Sequence, residues 1–411
     1  MQKLPKILEQ TGWQILGKGV TSLSTFIILG LVARIYGPNG TGVFTLALTY
    51  LAIFYLLGDF GFNAHALRQF NGLTKSQISR DWRKLLGTRI LWSMVLVVLA
   101  VALLLFWPFS TPEFNRAVIF GSLAIIASSV FITCNLIFQG ELKYNLSVLA
   151  SSLGTLISLA IFIFLSFAKY PVSILLIAHL LGWVAIALTA LLLVHRFVRQ
   201  IVPLFDFNYA VKLFKESWPI AATLSLNVLY FRADSFMVAY YKSISDAGVY
   251  NAAYSVFQSA LVLPTFIMNA YYPMMLKSLN KVKLVGMGLL GLSVTGTIFT
   301  LIFAPLIIKI LTGGGFAGSA LSLQILSLGF PAYFLSSLLM WMLVAKNKYK
   351  SLFFLYTLGL IFNLVLNFIY IPKYSFFAAS WITVISEYLI LVMQIMVLLF
   401  ERSENLRGKL F

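Results

Sequence analysis

The stretch ILWSMVLVVLAVALLLFWPFSTP, residues 90–112, runs for 23 positions without Asp, Glu, Lys or Arg. A hydrocarbon core of roughly 30 Å is crossed by about 20 apolar residues in a helix, so this one run is long enough to span a bilayer. It is not alone: residues 35–58, 117–140, 144–168, 247–276 and 310–345 are equally free of charge. Over the 411 residues, 60% are hydrophobic and 10% charged. A water-facing surface needs about 25% charged residues, so a soluble globular protein is excluded.

Working outward from 90–112, apolar length and breaks at Gly, Pro and charge predict twelve helices: 13–35, 41–63, 87–109, 116–138, 146–168, 172–194, 217–241, 247–274, 284–311, 318–344, 350–371 and 376–400. The predicted class is an all-α integral membrane protein. Residues 1–13 are basic and precede an apolar run, as in a signal peptide. The run continues to Ala33 without a small-residue cleavage site, so a retained first helix is expected. The net charge of +18 lies in short clusters between the apolar runs, with no contiguous basic stripe. That pattern fits anionic headgroups and cytoplasmic orientation, and argues against nucleic acid. Of the 30 Lys and Arg, 23 fall on one side of the alternating spans and 6 on the other, with Arg232 inside a span. Both termini are therefore expected in the cytoplasm. The single Cys134 permits no intrachain disulfide.

The two halves match at a nearly constant offset. Gly42-Val43-Phe44 with Ala47 resembles Gly248-Val249-Tyr250 with Ala253 at 206 residues; Lys143-Tyr144 returns as Lys348-Tyr349 at 205, and Lys169-Tyr170 as Lys373-Tyr374 at 204. Six helices per half insert the same way up, which predicts two lobes related by a pseudo-twofold along the membrane normal. The expected division is an N-terminal lobe at 1–195, a cytoplasmic amphipathic linker at 196–216 and a C-terminal lobe at 217–411. In the linker Phe207, Ala210, Val211 and Phe214 share a helical face, and Asp206 can cap its start.

No Gly-rich loop with Lys-Ser/Thr occurs, which argues against nucleotide binding. The three histidines lack metal-ligand spacing, and no nucleophile motif is present. No loop is large enough to hold a soluble catalytic domain. No catalytic residue, metal or cofactor is expected, and a transporter is read rather than an enzyme.

Each intramembrane charge costs at least ~2.5–3.5 kcal/mol and needs a reason. Arg232 and Asp234 lie just past the middle of the seventh span. Arg232 is either a cavity residue for an anionic headgroup, with Asp234 tuning it, or one member of a structural pair with other helices. Lys18 either lines the cavity or snorkels to the surface; Arg34 either anchors at the interface or joins the cationic set. Asp59 is a coupling candidate, or a partner of Arg68, or a structural cap. Glu387, mid-span in the twelfth helix, is a proton-coupling candidate or a satisfied packing residue. His179 reads as a hydrogen-bonded packing histidine. Amides such as Asn251, Asn363 and Asn367 line the route or join helices.

The segment Leu31-Val-Ala-Arg34-Ile-Tyr-Gly37-Pro38-Asn-Gly-Thr-Gly42-Val-Phe44, then Gly58-Asp59-Phe60-Gly61-Phe62 and Arg68, resembles the bacterial polysaccharide biosynthesis proteins. These are the O-antigen and capsule flippases of the multidrug/oligosaccharidyl-lipid/polysaccharide exporter superfamily. Arg232-Ala-Asp234 with Ala247-Gly248-Val249-Tyr250 is similar to the family's second-half signature. The resemblance implies a V-shaped two-lobe exporter that moves undecaprenyl-diphosphate-linked oligosaccharide between leaflets. It further implies membrane lipids and the polysaccharide polymerase and chain-length machinery as partners. The rivals are an ion-coupled multidrug exporter of the same superfamily, a membrane-embedded polymerase, and a peptidoglycan-precursor flippase. Multidrug exporters are expected to hold cavity acids, where this chain holds an arginine. The outer loops are too short for a polymerase.

Overall fold

The computed structural model describes residues 3–70, 73–198, 200–276 and 278–407. Among them every regular element is a helix: α1 (Lys3–Asp59), α2 (Phe62–Phe70), α3 (Lys75–Ala102), α4 (Pro112–Ser122), α5 (Ala124–Gly140), α6 (Tyr144–Phe167), α7 (Val172–Val194), α8 (Phe207–Tyr241), α9 (Ile244–Ala260), α10 (Val262–Met275), α11 (Val282–Thr312), α12 (Ser319–Ser327), α13 (Phe330–Ala345) and α14 (Tyr349–Arg407), with one 3₁₀ turn at Leu103–Phe106.

Two helices are too long for a single passage. At 1.5 Å per residue, the 57 residues of α1 and the 59 of α14 would each run about 85 Å. Each is broken by one residue in the left-handed region: Gly37 (φ 65°), just before Pro38, and Ser375 (φ 55°), shortly after Pro372. The expected spans 13–35 and 41–63 fall on the two arms of α1, and 350–371 and 376–400 on those of α14. The expected spans 116–138, 247–274 and 318–344 are each divided into two helices. By length and apolarity seven of the described helices can cross a membrane, eight if α12 and α13, bent by 43°, count as one. Mean hydropathy registers apolar length and is blind to such bends.

The outward faces are apolar: Leu105, Leu192 and Phe400 are 82%, 75% and 71% exposed. Polar side chains such as Ser93, Thr133, Ser166 and Asn367 are buried. A surface of this kind is stable only against lipid. The chain is a multi-pass membrane protein.

The chain divides into two compact units, one of Met1–Tyr36 with Val43–Val228 and one of Gly37–Gly42 with Leu229–Phe411. In the first, α7 packs on α4, α5 and α6. Gly154 and Gly182 let α6 and α7 approach closely, and the Ser158 hydroxyl donates to the Ala178 carbonyl at 3.0 Å. In the second, α12 bridges α9, α11 and α14. The amphipathic segment from Phe207 and the apolar run after it form one helix, α8, with Pro219 inside. A proline removes one helical hydrogen bond, which a membrane helix tolerates where other polar groups or a local adjustment of the backbone satisfy the freed carbonyl.

The same backbone turn recurs 205 residues apart. Leu142 (φ 52°) and Asn347 (φ 59°) each close a helix, with Lys143 N–H donating to Phe138 and Lys348 N–H to Leu343. The repeated Gly42 and Gly248 meet within the second unit. A methyl on Gly248 would fall on the Pro38 carbonyl and the Gly42 amide, and one on Gly42 would fall on the Ile244 carbonyl. Backbone cannot move aside as a side-chain tip can. Gly248→Ala is expected to lower stability by about 1–3 kcal/mol, read as a reduced thermal midpoint in detergent. Gly288→Ala, where nothing lies within 4 Å of the added carbon, is the control and should be neutral or stabilising.

Candidate functional site

In the second unit α8 presents Tyr230, Arg232, Asp234 and Ser235 over less than two turns. Asp234 is 3% exposed. Its carboxylate accepts the Tyr250 hydroxyl from α9 and the Ser235 amide at 2.8 Å. The Ser235 hydroxyl donates to Asn251 Oδ1 at 2.7 Å. One turn back, the Tyr230 hydroxyl donates to Glu387 Oε1 at 3.0 Å, and Glu387 is 4% exposed. Tyr254, 2% exposed, lies within electrostatic range of Asp234, Glu387 and Arg232 and packs its ring 5.3 Å from that of Tyr250. Tyr333 and Tyr356 also lie within range of Glu387. Two buried carboxylates are thus ringed by phenols, groups that donate hydrogen bonds to a carboxylate without neutralising it.

Arg232 is half-buried and within electrostatic range of Asp234. Among the described residues it has no ion pair within 4 Å. The sequence argument that residues two apart on a helix do not form a local pair therefore agrees with the geometry. Nearby, Asn367 Nδ2 donates to Asn363 Oδ1 at 2.8 Å and Asn363 Nδ2 to the Ser386 hydroxyl at 3.1 Å, tying together the two arms of α14. These amides join helices.

The other candidates lie in the first unit. Lys18 and Arg34 are exposed positions of α1. Asp59 does have a basic partner, and it is Arg89: Nη2 lies 3.1 Å from Asp59 Oδ1. The Arg68 side chain lies outside the described residues. Arg89 is one of the 23 cations on the richer side of the charge count. It is fully buried, and its Nη1 donates to Asn63 Oδ1 at 3.0 Å and to the Thr133 hydroxyl at 3.1 Å. Its guanidinium also lies 5.4 Å from the Phe62 ring centroid. Through Nη2 it reaches the Asp59 carbonyl at 3.3 Å, giving the C-terminus of α1 the cation its own last turn lacks. Just beyond, Phe60 (φ 46°) and Gly61 (φ 73°) turn the chain into α2. The Arg89 cluster thus fixes the Gly58-Asp59-Phe60-Gly61-Phe62 corner.

His179 is held by the Tyr55 hydroxyl at 2.9 Å and the Trp183 indole N–H at 3.2 Å, both at Nε2. Because the indole can only donate, Nε2 is an acceptor and the ring is neutral there. Among the described residues no group of three or more His, Cys, Asp or Glu could hold a metal ion.

The sequence signature of the polysaccharide biosynthesis proteins matches residues 7–279. The chain belongs to the polysaccharide biosynthesis protein family. A relative, a putative O-antigen transporter of Shigella dysenteriae, is 22% identical over 394 residues, covering 93% of this chain and 96% of its own. Two solved structures share the fold. The lipid II flippase MurJ in an inward closed conformation gives a TM-score of 0.79 at 14% identity over 93% of this chain and 86% of its own. An inward-facing multidrug resistance MATE family transporter of the MOP superfamily gives 0.70 at 16% identity over 93% and 94%. This polysaccharide biosynthesis protein therefore has the exporter fold expected from its motifs. The signature covers both the Asp59 corner and the Arg232–Asp234 segment.

Proposed function

We propose that this protein is an alternating-access flippase that moves undecaprenyl-diphosphate-linked oligosaccharide repeat units across the bacterial cytoplasmic membrane for surface polysaccharide assembly. In this reading the chain crosses the bilayer twelve times with both termini in the cytoplasm, as the distribution of 23 cations against 6 supports. Arg232 binds the diphosphate, helped by Lys18 and Arg34, and Glu387 or Asp234 carries the coupling proton. The chain passes its product to a polymerase and chain-length machinery, and it catalyses no bond change itself.

The observation that carries the reading is the half-buried Arg232 without an ion-pair partner among the described residues, two residues from the buried Asp234 on one side and from Tyr230, the donor to the buried Glu387, on the other. A guanidinium is the side chain best shaped for two phosphate oxygens at once. A buried carboxylate that keeps its hydrogen-bond donors can exchange a proton without losing its place. The likeness to the O-antigen transporter over nearly its whole length supports the choice of cargo.

The test is translocation of lipid-linked oligosaccharide in vesicles holding the purified chain, with and without an imposed pH gradient. A gradient of 1 pH unit is worth about 1.4 kcal/mol per proton, roughly a tenfold bias. Glu387→Gln, which keeps shape and hydrogen bonding but cannot release a proton, is expected to lose that bias while still equilibrating the cargo. A Glu387→Gln protein that responds to the gradient like the parent assigns the proton elsewhere. The fold shared with a multidrug transporter supports the competing reading; extrusion of cationic drugs, with no movement of lipid-linked sugar, would favour it.

A further inference from the structure

Between α7 and the deeper part of α8 the chain is bolted to the first unit. The Leu204 N–H donates to the Arg83 carbonyl at 3.0 Å, and Arg83 Nε returns a bond to the Val202 carbonyl at 2.7 Å. Lys84 Nζ holds Asp206 Oδ2 at 2.7 Å. Asp206 caps α8 by accepting the Tyr209 amide at 3.0 Å. With Lys84 and that amide as donors, its carboxyl is held below the usual carboxylate range.

The first turns of α8 then show three faces. Ala210, Leu213 and Ser217 are buried against the first unit. Phe207, Val211 and Trp218, within about 40° of one another around the helix at 100° per residue, are exposed, Phe207 by 69% and Trp218 by 60%. Val202 and Phe205 extend this apolar surface upstream. Beside it, on the flank away from the buried face, stand the exposed Lys212 and Lys215 with Asn208 between them. Phe207, Val211 and these three residues, with Glu216, line one shallow groove.

The charges of this segment are unevenly spent. Asp206 is taken by Lys84, and Glu216 Oε2 sits 3.1 Å from His65 Nε2. Lys212 and Lys215 have no ion pair within 4 Å among the described residues. The segment therefore offers two ammonium groups with no carboxylate within 4 Å among the described residues, at the edge of an aromatic strip, against the single carboxylate of Glu216 in the same groove. That layout inserts rings at the acyl boundary and sets cations at headgroup depth.

We infer that residues 202–218 form a binding site for an acidic phospholipid of the adjoining leaflet, with Phe207, Val211 and Trp218 among its acyl chains and Lys212 and Lys215 on its phosphate. The occupant follows from charge complementarity and from the apolar helices of the same chain, which already require a bilayer alongside. The site is independent of the cargo and stays valid if the transport reading fails.

The test uses the full-length protein in nanodiscs of phosphatidylcholine carrying brominated phosphatidylglycerol or, in parallel, brominated phosphatidylcholine at equal mole fraction. The Trp218 contribution to emission is isolated by difference against Trp218→Phe. Brominated phosphatidylglycerol is expected to quench it as if locally enriched roughly tenfold. High salt should reduce the preference, and a Lys212→Gln/Lys215→Gln protein should quench equally with both lipids. Unchanged elution and helical circular dichroism establish that this variant is folded. Equal quenching by both lipids in the parent protein overturns the inference, as does a preference that survives the double substitution. Quenching by neither lipid also overturns it and assigns the strip to a soluble partner.

Discussion

An Arg232→Ala variant is expected to reach the membrane at the parent level and to support no surface polysaccharide in a strain that depends on it. Insertion should survive because the arginine is an expense to the folded state. A cation within a span costs at least ~2.5–3.5 kcal/mol, and among the described residues none pairs with it within 4 Å. Nor does its removal orphan Asp234, which keeps the Tyr250 hydroxyl and the Ser235 amide. What is lost is the charge-assisted contact to a diphosphate. At about 1.5–3 kcal/mol for each such hydrogen bond, losing a two-pronged contact lowers transport by at least about a hundredfold. Arg232→Lys separates charge from shape. It keeps the cation and loses the fork, so partial activity is expected. The measurement is lipid-linked oligosaccharide flux in vesicles together with surface polysaccharide in cells. Normal polymer from Arg232→Ala would remove the residue from the cargo path.

Much of this was legible in one dimension, for reasons that can be traced. Spans are announced by the absence of charge over 20 or more positions, because lipid tolerates nothing else. Arg232, Asp234 and Glu387 stood out for the same reason, as exceptions inside apolar runs. Arg89 was missed because it lies at the start of its apolar run, where composition cannot tell a loop cation from a buried one. The difference is made by Asn63, Asp59 and Thr133, the last 44 residues away. The tyrosines around Glu387 were invisible for a related reason. Tyr230, Tyr333 and Tyr356 come from α8, α13 and α14, and phenols in apolar runs are ordinary. Only Tyr250 and Tyr254, one turn apart, carried a local sign. The breaks at Gly37 and Ser375 split along the same line. Gly37-Pro38 is a turn signal in itself, while a serine in the left-handed region is set by its surroundings.

Replacing Arg89 by alanine is expected to destabilise the first unit by roughly 3 kcal/mol, the low end for breaking a buried pair. The low end applies because the Asp59 side chain is 30% exposed and can recover some water. The loss has separate parts. Asp59 is left charged without its partner, Asn63 and Thr133 lose a donor, and the void beside Phe62 adds a packing cost. The free carbonyl at the end of α1 loses its cation just where Phe60 and Gly61 leave helical geometry. The aromatic packing of Phe60, Phe62 and Trp92 on Phe214 should loosen with it, carrying the effect into the start of α8. Two further variants divide these contributions. Arg89→Met fills the space without the charge, and Asp59→Asn added to it removes the stranded carboxylate. If the ion pair dominates, the double variant recovers most of the stability lost by Arg89→Met, as when both partners of a buried pair are replaced. If the neutral hydrogen bonds dominate, the double variant is no better than the single one. Thermal midpoints in detergent and quenching of Trp92 emission read both outcomes. An Arg89→Ala protein as stable as its parent would mean that the corner holds its shape without the arginine.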